Sequence, residues 1–244
     1  MHSPHASRKV NRETSVRLPG FKISSYTLFF ISCLLFLLAG SLRADWDFIT
    51  INQRTEQLYG PATPDARRRI DEWQTLLVNS RNKEEKALLS SVNQFFNDRM
   101  LFRDDIVVWN QEDYWATPIE ALRKGAGDCE DYALAKYFTL RHLGVSADKL
   151  RITYVKALRL NKAHMVVTYY PTPTSIPLVL DNLTDKIQPA TERNDLVPVY
   201  AFNGGGLWLP GASGSNKRVG DSKRLSRWQD VLTKMRAEGF SIEE

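Results

Sequence analysis

The sequence predicts an α+β fold in which several helices precede a set of antiparallel strands. In the first half of the chain apolar residues recur at helical spacing, and the last of these helices begins at Cys129. Beyond residue 150 the pattern changes to the alternation of strands, in short β-branched segments bounded by Pro, Asn or Thr. Helices followed by a run of strands are typical of α+β proteins. We therefore expect the cysteine-bearing helix to be the central buried helix and the strands to form an antiparallel set.

Residues 1–44 have the pattern of an export signal or signal anchor. A basic stretch precedes the apolar run from Tyr26 to Gly40, and small residues follow it. Cleavage after Ser41 or Ala44 would remove the segment, whereas an uncleaved segment would anchor the chain in the membrane. In both cases the positive charge keeps the N-terminus inside. Residues 45–244 are then predicted to form one domain on the far side of the membrane.

The net charge of the chain does not indicate a nucleic-acid partner. The full sequence has a formal charge of +5, but six Lys/Arg and only one acidic residue fall within residues 1–44. The remainder holds 27 basic and 27 acidic residues and is therefore neutral. A neutral domain has little field directed at phosphates, so the sequence predicts no nucleic-acid binding.

Three helices are predicted before the cysteine. Thr63 caps a helix whose first residue is Pro64, and a second amphipathic helix covers residues 83–98. We expect these two helices to pack as an antiparallel pair. A short helix begins with the stretch 117–122 and leads to the glycine-bearing loop before the cysteine. The stretch from Asp45 to Gly60 has no clear period and is predicted to be an irregular lead-in.

The cysteine-bearing helix is expected to end at Gly144, because glycine suits a left-handed cap. Three antiparallel strands follow, and then a polar glycine-rich loop and a basic amphipathic helix close the chain. The predicted ranges are 151–158, 164–170 and 177–183 for the strands, 204–220 for the loop and 222–238 for the helix.

Cys129 has the position of a nucleophile. It stands where the loop Gly125–Gly127 turns into a helix, and the first-turn N–H groups there favour a thiolate and can hold a developing oxyanion. The other cysteine, Cys33, lies inside the apolar run, which argues against lipid attachment. A single cysteine in an oxidising compartment has no disulfide partner, which favours a chemical role. The alternative is a buried, inert cysteine.

Asp128, Glu130 and Asp131 surround the thiol and would repel a thiolate if they stood alone. Hard oxygen ligands packed this closely suit Ca²⁺, which would cancel the repulsion and fix the loop. In the alternative interpretation these residues only cap the helix and stabilise its first turn, which is common. The sequence therefore indicates a calcium site, with helix capping as the alternative.

A cysteine nucleophile needs a general base, and histidine is the usual one because its pKa lies near working pH. Beyond residue 44 there are two, His142 and His164. His142 is expected about 20 Å from Cys129, in the last turn of the same helix. His164 is therefore the candidate base. The alternative is a satisfied strand histidine.

Asp181 is predicted to orient His164. If the hairpin is symmetric about its loop, Val166 faces Asp181, and His164 and Asp181 become diagonal neighbours on one face. Diagonal side chains lie about 7–8 Å apart at the backbone, within reach of an imidazole–carboxylate hydrogen bond. Asp181 would then fix the tautomer and support the imidazolium.

The order of Cys129 at a helix start, His164 on one strand and Asp181 on the next resembles the transglutaminase-like branch of the papain-like cysteine enzymes. The motif GDCEDYA at residues 127–133 and the export signal are similar to the bacterial transglutaminase-like cysteine proteinases. The resemblance covers residues 50–210. It implies a papain-like/transglutaminase-like core with N-terminal helices, in which the cysteine helix packs on the sheet that bears the histidine and the aspartate.

Membership would also imply a function. Proteins of this kind are periplasmic, calcium-dependent proteases that cut a large surface adhesin near its N-terminus, at a pair of alanines, and so free cells from a biofilm. An inner-membrane receptor that responds to cyclic di-GMP holds the protease away from the adhesin. By motif, Asp128, Glu130 and Asp131 align with the calcium-binding region of the family.

Two other functions fit the same residues. A transglutaminase or amide-transfer enzyme uses the same thioester but ends in amine transfer, and the sequence does not separate it well from a protease. A binding module on an inactive fold is disfavoured, because degenerate sites usually lose one member of the triad first. A metal-dependent hydrolase is disfavoured because two histidines and one thiol offer no recognisable catalytic cluster.

Overall fold

The computed structural model of the protein describes residues 45–210 and 216–242. The predicted export signal, residues 1–44, lies outside these ranges and stays a prediction. None of the described helices combines the length and the apolar character that crossing a membrane requires. The described chain has the mixed helix and antiparallel-sheet architecture that the sequence predicts.

The first helix, α1 (Phe48–Tyr59), corrects the expectation of an irregular lead-in. Its buried face is narrow and consists of Phe48, Ile51 and Thr55, one of which is polar, so the sequence shows little periodicity. The Asp47 side chain caps its N-terminus by accepting from Ile49 N–H at 3.0 Å. The helix is stabilised by packing against the C-terminal helix, which sequence periodicity does not reveal.

Helices α2 (Pro64–Asn79) and α3 (Glu85–Arg99) begin close to the predicted residues, and α3 also ends close to the predicted residue. Thr63 caps α2 as expected, because its hydroxyl oxygen accepts from Ala66 N–H at 3.2 Å. The expected antiparallel pairing is a minor contact. Each helix instead packs mainly on a central element: α2 on α5 (Pro118–Lys124), and α3 on α6 (Cys129–His142).

The segment before Cys129 is held by a short parallel pair, β1 (Leu101–Phe102) and β2 (Ala126–Gly127). Between these strands lie a one-turn helix, α4 (Asp105–Val108), and α5. Helix α5 has a full capping box, in which Thr117 and Glu120 satisfy each other's backbone N–H groups. Gly125 ends α5 at a φ of 68°, where glycine avoids the strain of a side chain.

Helix α6 is the buried centre of the fold, since every residue from Asp131 to Leu140 is buried. It ends at His142, and Gly144 follows at a φ of 104°, as predicted. The ring of His142 stacks on Trp46 with centroids 3.9 Å apart, far along the helix from Cys129. A helix buried all round shows almost no amphipathic pattern, and here the apolar neighbours come from both the other helices and the sheet.

A seven-stranded antiparallel sheet follows, with strand order β6-β5-β4-β3-β7-β8-β9. The predicted loop at residues 204–220 is wrong over most of its length, because two strands form there. Gly206 and Gly220 weaken these strands, but each strand is held by pairing with its neighbour: residues 206–210 with residues 196–203, and residues 216–220 with residues 206–210. The strands are β3 (Leu150–Ala157), β4 (Lys162–Tyr169), β5 (Leu178–Leu180), β6 (Gln188–Pro189), β7 (Leu196–Asn203), β8 (Gly206–Pro210) and β9 (Asn216–Gly220).

The main core lies between the helices and one face of this sheet, and it includes Ile152, Val167 and Phe202. A smaller apolar cluster on the opposite face comprises Val155, Val166 and Val179. The C-terminal helix α7 (Ser226–Glu238) covers the core, with Trp228 fully buried against Phe138 of α6. The sheet is thereby fixed against α6, and the start of α6 lies beside β4.

Candidate active site

Cys129 is the first residue of α6 and follows the β1–β2 pair directly. The backbone N–H of Met165, the residue after His164, hydrogen-bonds to its sulfur. The thiol donates to Oε2 of Glu130 at 3.0 Å. Burial, and then the charge of Glu130, raise the pKa of the Cys129 thiol. The carboxylates therefore oppose the thiolate unless something positive joins them, as the sequence suggests.

His164 and Asp181 meet as the sequence predicts. Strand β5 pairs with β4 so that Val167 lies opposite Leu180, which places residue 166 opposite 181. His164 Nε2 lies 2.7 Å from Asp181 Oδ1, and both side chains are buried. An ionised carboxylate only accepts, so Nε2 carries the proton and Nδ1 of the neutral ring is left as the basic nitrogen.

Burial would raise the pKa of Asp181, but hydrogen bonds outweigh it and lower the pKa to about 2. These bonds come from His164, from the backbone N–H of Leu183 at 3.1 Å and from Arg193 at 2.7 Å. Asp181 is therefore ionised at neutral pH, as a partner of an imidazolium must be. The neighbouring Asp185 does not hold the histidine, because its carboxylate accepts from Asn97 at 2.8 Å.

A buried carboxylate cluster lies on the other side of Cys129. Oxygens of Asp105, Asp128 and Asp131 lie within 4.8 Å of one another. Among the described residues, one oxygen of each has no hydrogen-bond partner: Oδ1 of Asp105, Oδ1 of Asp128 and Oδ2 of Asp131. Glu130 joins the cluster through Asp105 and the exposed Asp113, and also through Asp128 and the thiol. Buried oxygens without partners are rare, and a cation is one way to satisfy them.

The pKa values in this cluster are raised, first by burial and then by neighbouring carboxylates. The pKa of Asp128 rises to about 10 and that of Asp105 to about 6, and the pKa of Asp131 also rises well above its usual value. Gly127 lets Asp131 approach, because a Cβ there would overlap the Asp131 side chain. Three carboxylates with a free oxygen each, and Glu130 and Asp113 close by, fit Ca²⁺, which takes six to eight oxygen ligands. The Asp113 carboxylate also pairs with Arg227 at 2.9 Å.

The helix-cap alternative does not describe Asp128. This residue is at the N-cap position of α6, but its side chain caps none of the first-turn N–H groups that the structure describes. One oxygen of Asp131 accepts from Ala116 N–H at 2.7 Å, a contact outside its own helix. Both carboxylates are thus turned toward the cluster rather than toward the backbone of α6.

Comparisons with known proteins match the chain to one family and to solved structures. A family described as bacterial transglutaminase-like cysteine proteinase, BTLCP, matches residues 68–195, which contain Cys129, His164 and Asp181. The chain belongs to this family. The resemblance noted from the sequence is confirmed, and so is the transglutaminase-like fold. Among curated proteins no significant match is found.

Three solved structures of LapG from Legionella pneumophila resemble the chain. The first has 43% identity and a TM-score of 0.64, and the alignment covers 76% of this chain and 97% of LapG. The EGTA-treated structure has 43% identity and a TM-score of 0.65, with coverage of 76% and 97%. The calcium-bound structure has 44% identity and a TM-score of 0.64, with coverage of 75% and 96%.

Three residues of this proteinase site are absent from the sequence prediction. Asp105 and Asp113 lie some twenty residues before Cys129 and reach it because β1 pairs in parallel with β2. Their only local signal is the acidic character of residues 104–105 and 112–113. Arg193 reaches Asp181 from a short 3₁₀ turn after β6, and nothing local in the sequence marks it.

Proposed function

We propose that the protein is a calcium-dependent cysteine endopeptidase, with Cys129 as nucleophile, His164 as general base and Asp181 as the residue that orients His164. The observation that carries this proposal is the His164–Asp181 hydrogen bond beside the thiol. Met165, the residue that follows His164 on β4, hydrogen-bonds through its backbone N–H to the Cys129 sulfur. Nucleophile, base and orienting carboxylate are the parts that thiol acyl transfer needs.

Nδ1 of His164 takes the proton of the Cys129 thiol, and the sulfur adds to the scissile carbonyl carbon. The N–H groups of the first turn of α6 stabilise the oxyanion that forms. Collapse of the tetrahedral intermediate breaks the C–N bond, and the imidazolium gives its proton to the leaving amine. His164 then removes a proton from water, which attacks the thioester and releases the acid and the free thiol.

For calcium, the predicted ligands Asp128, Glu130 and Asp131 are joined by Asp105 and Asp113. When bound, the cation would supply two positive charges, which offset part of the negative charge of these carboxylates and favour the thiolate. The fit rests on three free, buried carboxylate oxygens within 4.8 Å of one another, and the calcium-bound LapG structure supports it.

We infer further that the substrate is a large surface adhesin, cut near its N-terminus at a pair of alanines to release cells from a biofilm. The site of action is the periplasm, and the controlling partner is an inner-membrane receptor that responds to cyclic di-GMP. The family, the 43% identity to LapG and the export pattern of residues 1–44 support this inference.

The test is to incubate the purified exported protein with the N-terminal segment of a candidate adhesin, with calcium and with chelator. We expect one cut at the alanine pair with calcium and none with chelator or in the Cys129→Ala variant. A segment whose alanine pair is replaced by two bulky residues is the matched substrate control. A segment cut by Cys129→Ala contradicts the nucleophile.

The same reaction with an added primary amine separates hydrolysis from amide transfer. A protease returns the free carboxylic acid at the new C-terminus, and mass spectrometry identifies it. An amide of the added amine as the main product would make the chain an amide-transfer enzyme instead. Binding of the segment without any covalent change would favour the inactive binding module.

A further inference from the structure

Arg193 is a buried arginine whose contacts converge on the His164–Asp181 pair. It follows the 3₁₀ turn Ala190–Glu192, and only 6% of its surface is exposed. Nη2 donates to Asp181 Oδ2 at 2.7 Å. Nε and Nη2 also donate to the two carboxylate oxygens of Asp195, each at 2.9 Å. Asp195 thus fixes the guanidinium in the plane from which it reaches Asp181.

The two oxygens of Asp181 have different partners. Oδ1 accepts from His164 at 2.7 Å and from Leu183 N–H at 3.1 Å, and Oδ2 accepts from Arg193. Rotation of the carboxylate would break all three bonds at once. The bond from Arg193 therefore holds Oδ1 in the position where it meets the imidazole N–H.

We propose that Arg193 is a positioning residue of the catalytic site, which acts through Asp181 to fix the ring orientation and the basicity of His164. This inference rests on the proposed function, because it assigns His164 as the base.

Every charged group that faces Asp181 bears on this role. His164 approaches from β4 and Arg193 from the turn after β6. The buried Lys136 of α6 acts on Asp181 through the field. Its ammonium donates to Asn97 at 2.7 Å, and Asn97 in turn donates to the backbone oxygen of Asp181 at 3.0 Å.

Two further carboxylates complete this set, Asp185 on Asn97 and Asp195 on Arg193. Arg193 is the one cation in direct contact with the Asp181 carboxylate besides a protonated His164, among the residues described. Arg193 therefore shares with His164 the negative charge of the Asp181 carboxylate, which stabilises the imidazolium. Removing it should make His164 hold its proton to higher pH.

A purely structural role predicts something different. Arg193 also ties the segment after β6 to the sheet, and loss of that tie would lower the melting temperature without changing the chemistry of the folded molecules. Asp195→Asn is the matched variant, because it loosens the guanidinium but leaves the Arg193–Asp181 contact possible. Arg141→Met is a control for loss of a partly buried arginine far along α6, where Arg141 donates to Val145 O at 2.7 Å.

The experiment uses the exported protein in calcium and compares wild type with Arg193→Met, Arg193→Lys, Asp195→Asn and Arg141→Met. The readouts are kcat and KM on the adhesin segment, the acid limb of the plot of kcat/KM against pH, and the NMR pH titration of the His164 ring. His142 is the internal reference.

For Arg193→Met we expect kcat to fall about 100-fold at nearly constant KM, as misplaced catalytic groups do. The acid limb and the His164 titration should both move up by about one pH unit. Arg193→Lys should recover part of kcat and most of the titration shift, because it restores the charge but not the fork. Asp195→Asn should show a smaller change in the same direction, and Arg141→Met none.

Unchanged kcat and an unchanged His164 titration in Arg193→Met would overturn the inference. So would a lower melting temperature with normal kcat per folded molecule. If Arg193→Met fails to fold, Arg193→Lys and Asp195→Asn decide by the same readouts. A wild type that cuts no peptide while Arg193→Met still shifts the His164 titration refutes the protease and leaves the positioning role standing.

Discussion

We expect the stability of the fold to depend on calcium through the carboxylate cluster. Asp131 is fully buried and Asp105 is 2% exposed, and each presents an oxygen without a hydrogen-bond partner. Removing the cation with a chelator leaves these like charges facing one another, or forces them to take up protons. Both results raise the free energy of the folded state, so chelation should lower the melting temperature and abolish cleavage.

The size of the effect follows from mass action. A ligand at 100 times its dissociation constant stabilises the folded state by about 2.7 kcal/mol when the unfolded chain does not bind it. For a domain of this size, each kcal/mol moves the melting temperature by about 2–4 °C. Saturating calcium should therefore raise the melting temperature by about 5–10 °C over the chelated protein.

The assay titrates calcium into chelator-stripped protein while the melting temperature and the alkylation rate of Cys129 are followed. Calcium should raise both and restore cleavage, and it should do so better than Mg²⁺, whose strict octahedral geometry suits the cluster less. Asp128→Ala or Glu130→Ala should mimic chelation. Asp131→Asn is a sharper variant, because Asn can keep the bond from Ala116 N–H while the charge is lost.

The matched control is Asp65→Asn. Asp65 is an exposed carboxylate of α2 that pairs with Arg68 at the surface, so this variant should keep the full calcium response. The reasoning is refuted if calcium changes neither the melting temperature nor the alkylation rate of the wild type. In that case the acidic residues stabilise the helix start alone, and their alanine variants should lose about a kilocalorie per mole.

Three other predictions concern single residues. Cys129→Ala should fold normally and leave less than about one part in a thousand of the activity, and a larger remainder would show another nucleophile. Asp181→Asn should keep the hairpin by circular dichroism but lose orders of magnitude in kcat, since it permits the wrong tautomer of His164; near wild-type activity would mean that another group orients the ring. Burial lowers the pKa of Lys136 to about 7, so between that pH and about 10 the unfolded chain binds one more proton than the folded chain. Its contribution to the free energy of unfolding should therefore rise by about 1.4 kcal/mol per pH unit. Urea unfolding at pH 7 and 9 should show that rise in the difference between wild type and Lys136→Met, in which the contributions of the other titrating groups cancel.

Local signals in the sequence were sufficient for the starts of α2 and α5 and for the hairpin that brings His164 to Asp181. Thr63 and Thr117 each stand before a proline, and both cap the helices predicted from them. The pairing of β4 with β5 follows from a short loop and from alternation, so the contact between His164 and Asp181 could be predicted from the sequence alone. These features depend on residues close in the chain, where few conformations compete.

The elements that are stabilised by residues far away along the chain were not predicted from the sequence. Helix α1 has a narrow apolar face and gains its stability by packing on α7, almost the full length of the chain away. Strand β8 begins with a glycine and ends with a proline, and β9 is mostly polar. Pairing of β8 with β7 and of β9 with β8 places them in the sheet. Propensity is weak in both cases, and tertiary contacts override it.

The candidate site divides in the same way. Cys129, His164, Asp181 and the three carboxylates around the thiol could be named from the sequence, because reactive groups at a helix start and on a hairpin leave a local pattern. Asp105 and Asp113 join the cluster only through the parallel pairing of β1 with β2, and Arg193 reaches Asp181 only because the segment after β6 folds back on the sheet. The sequence by itself determined which groups are the candidates for the chemistry. The tertiary structure decided which charges surround them, because electrostatic interaction depends on distance in space and not on distance along the chain.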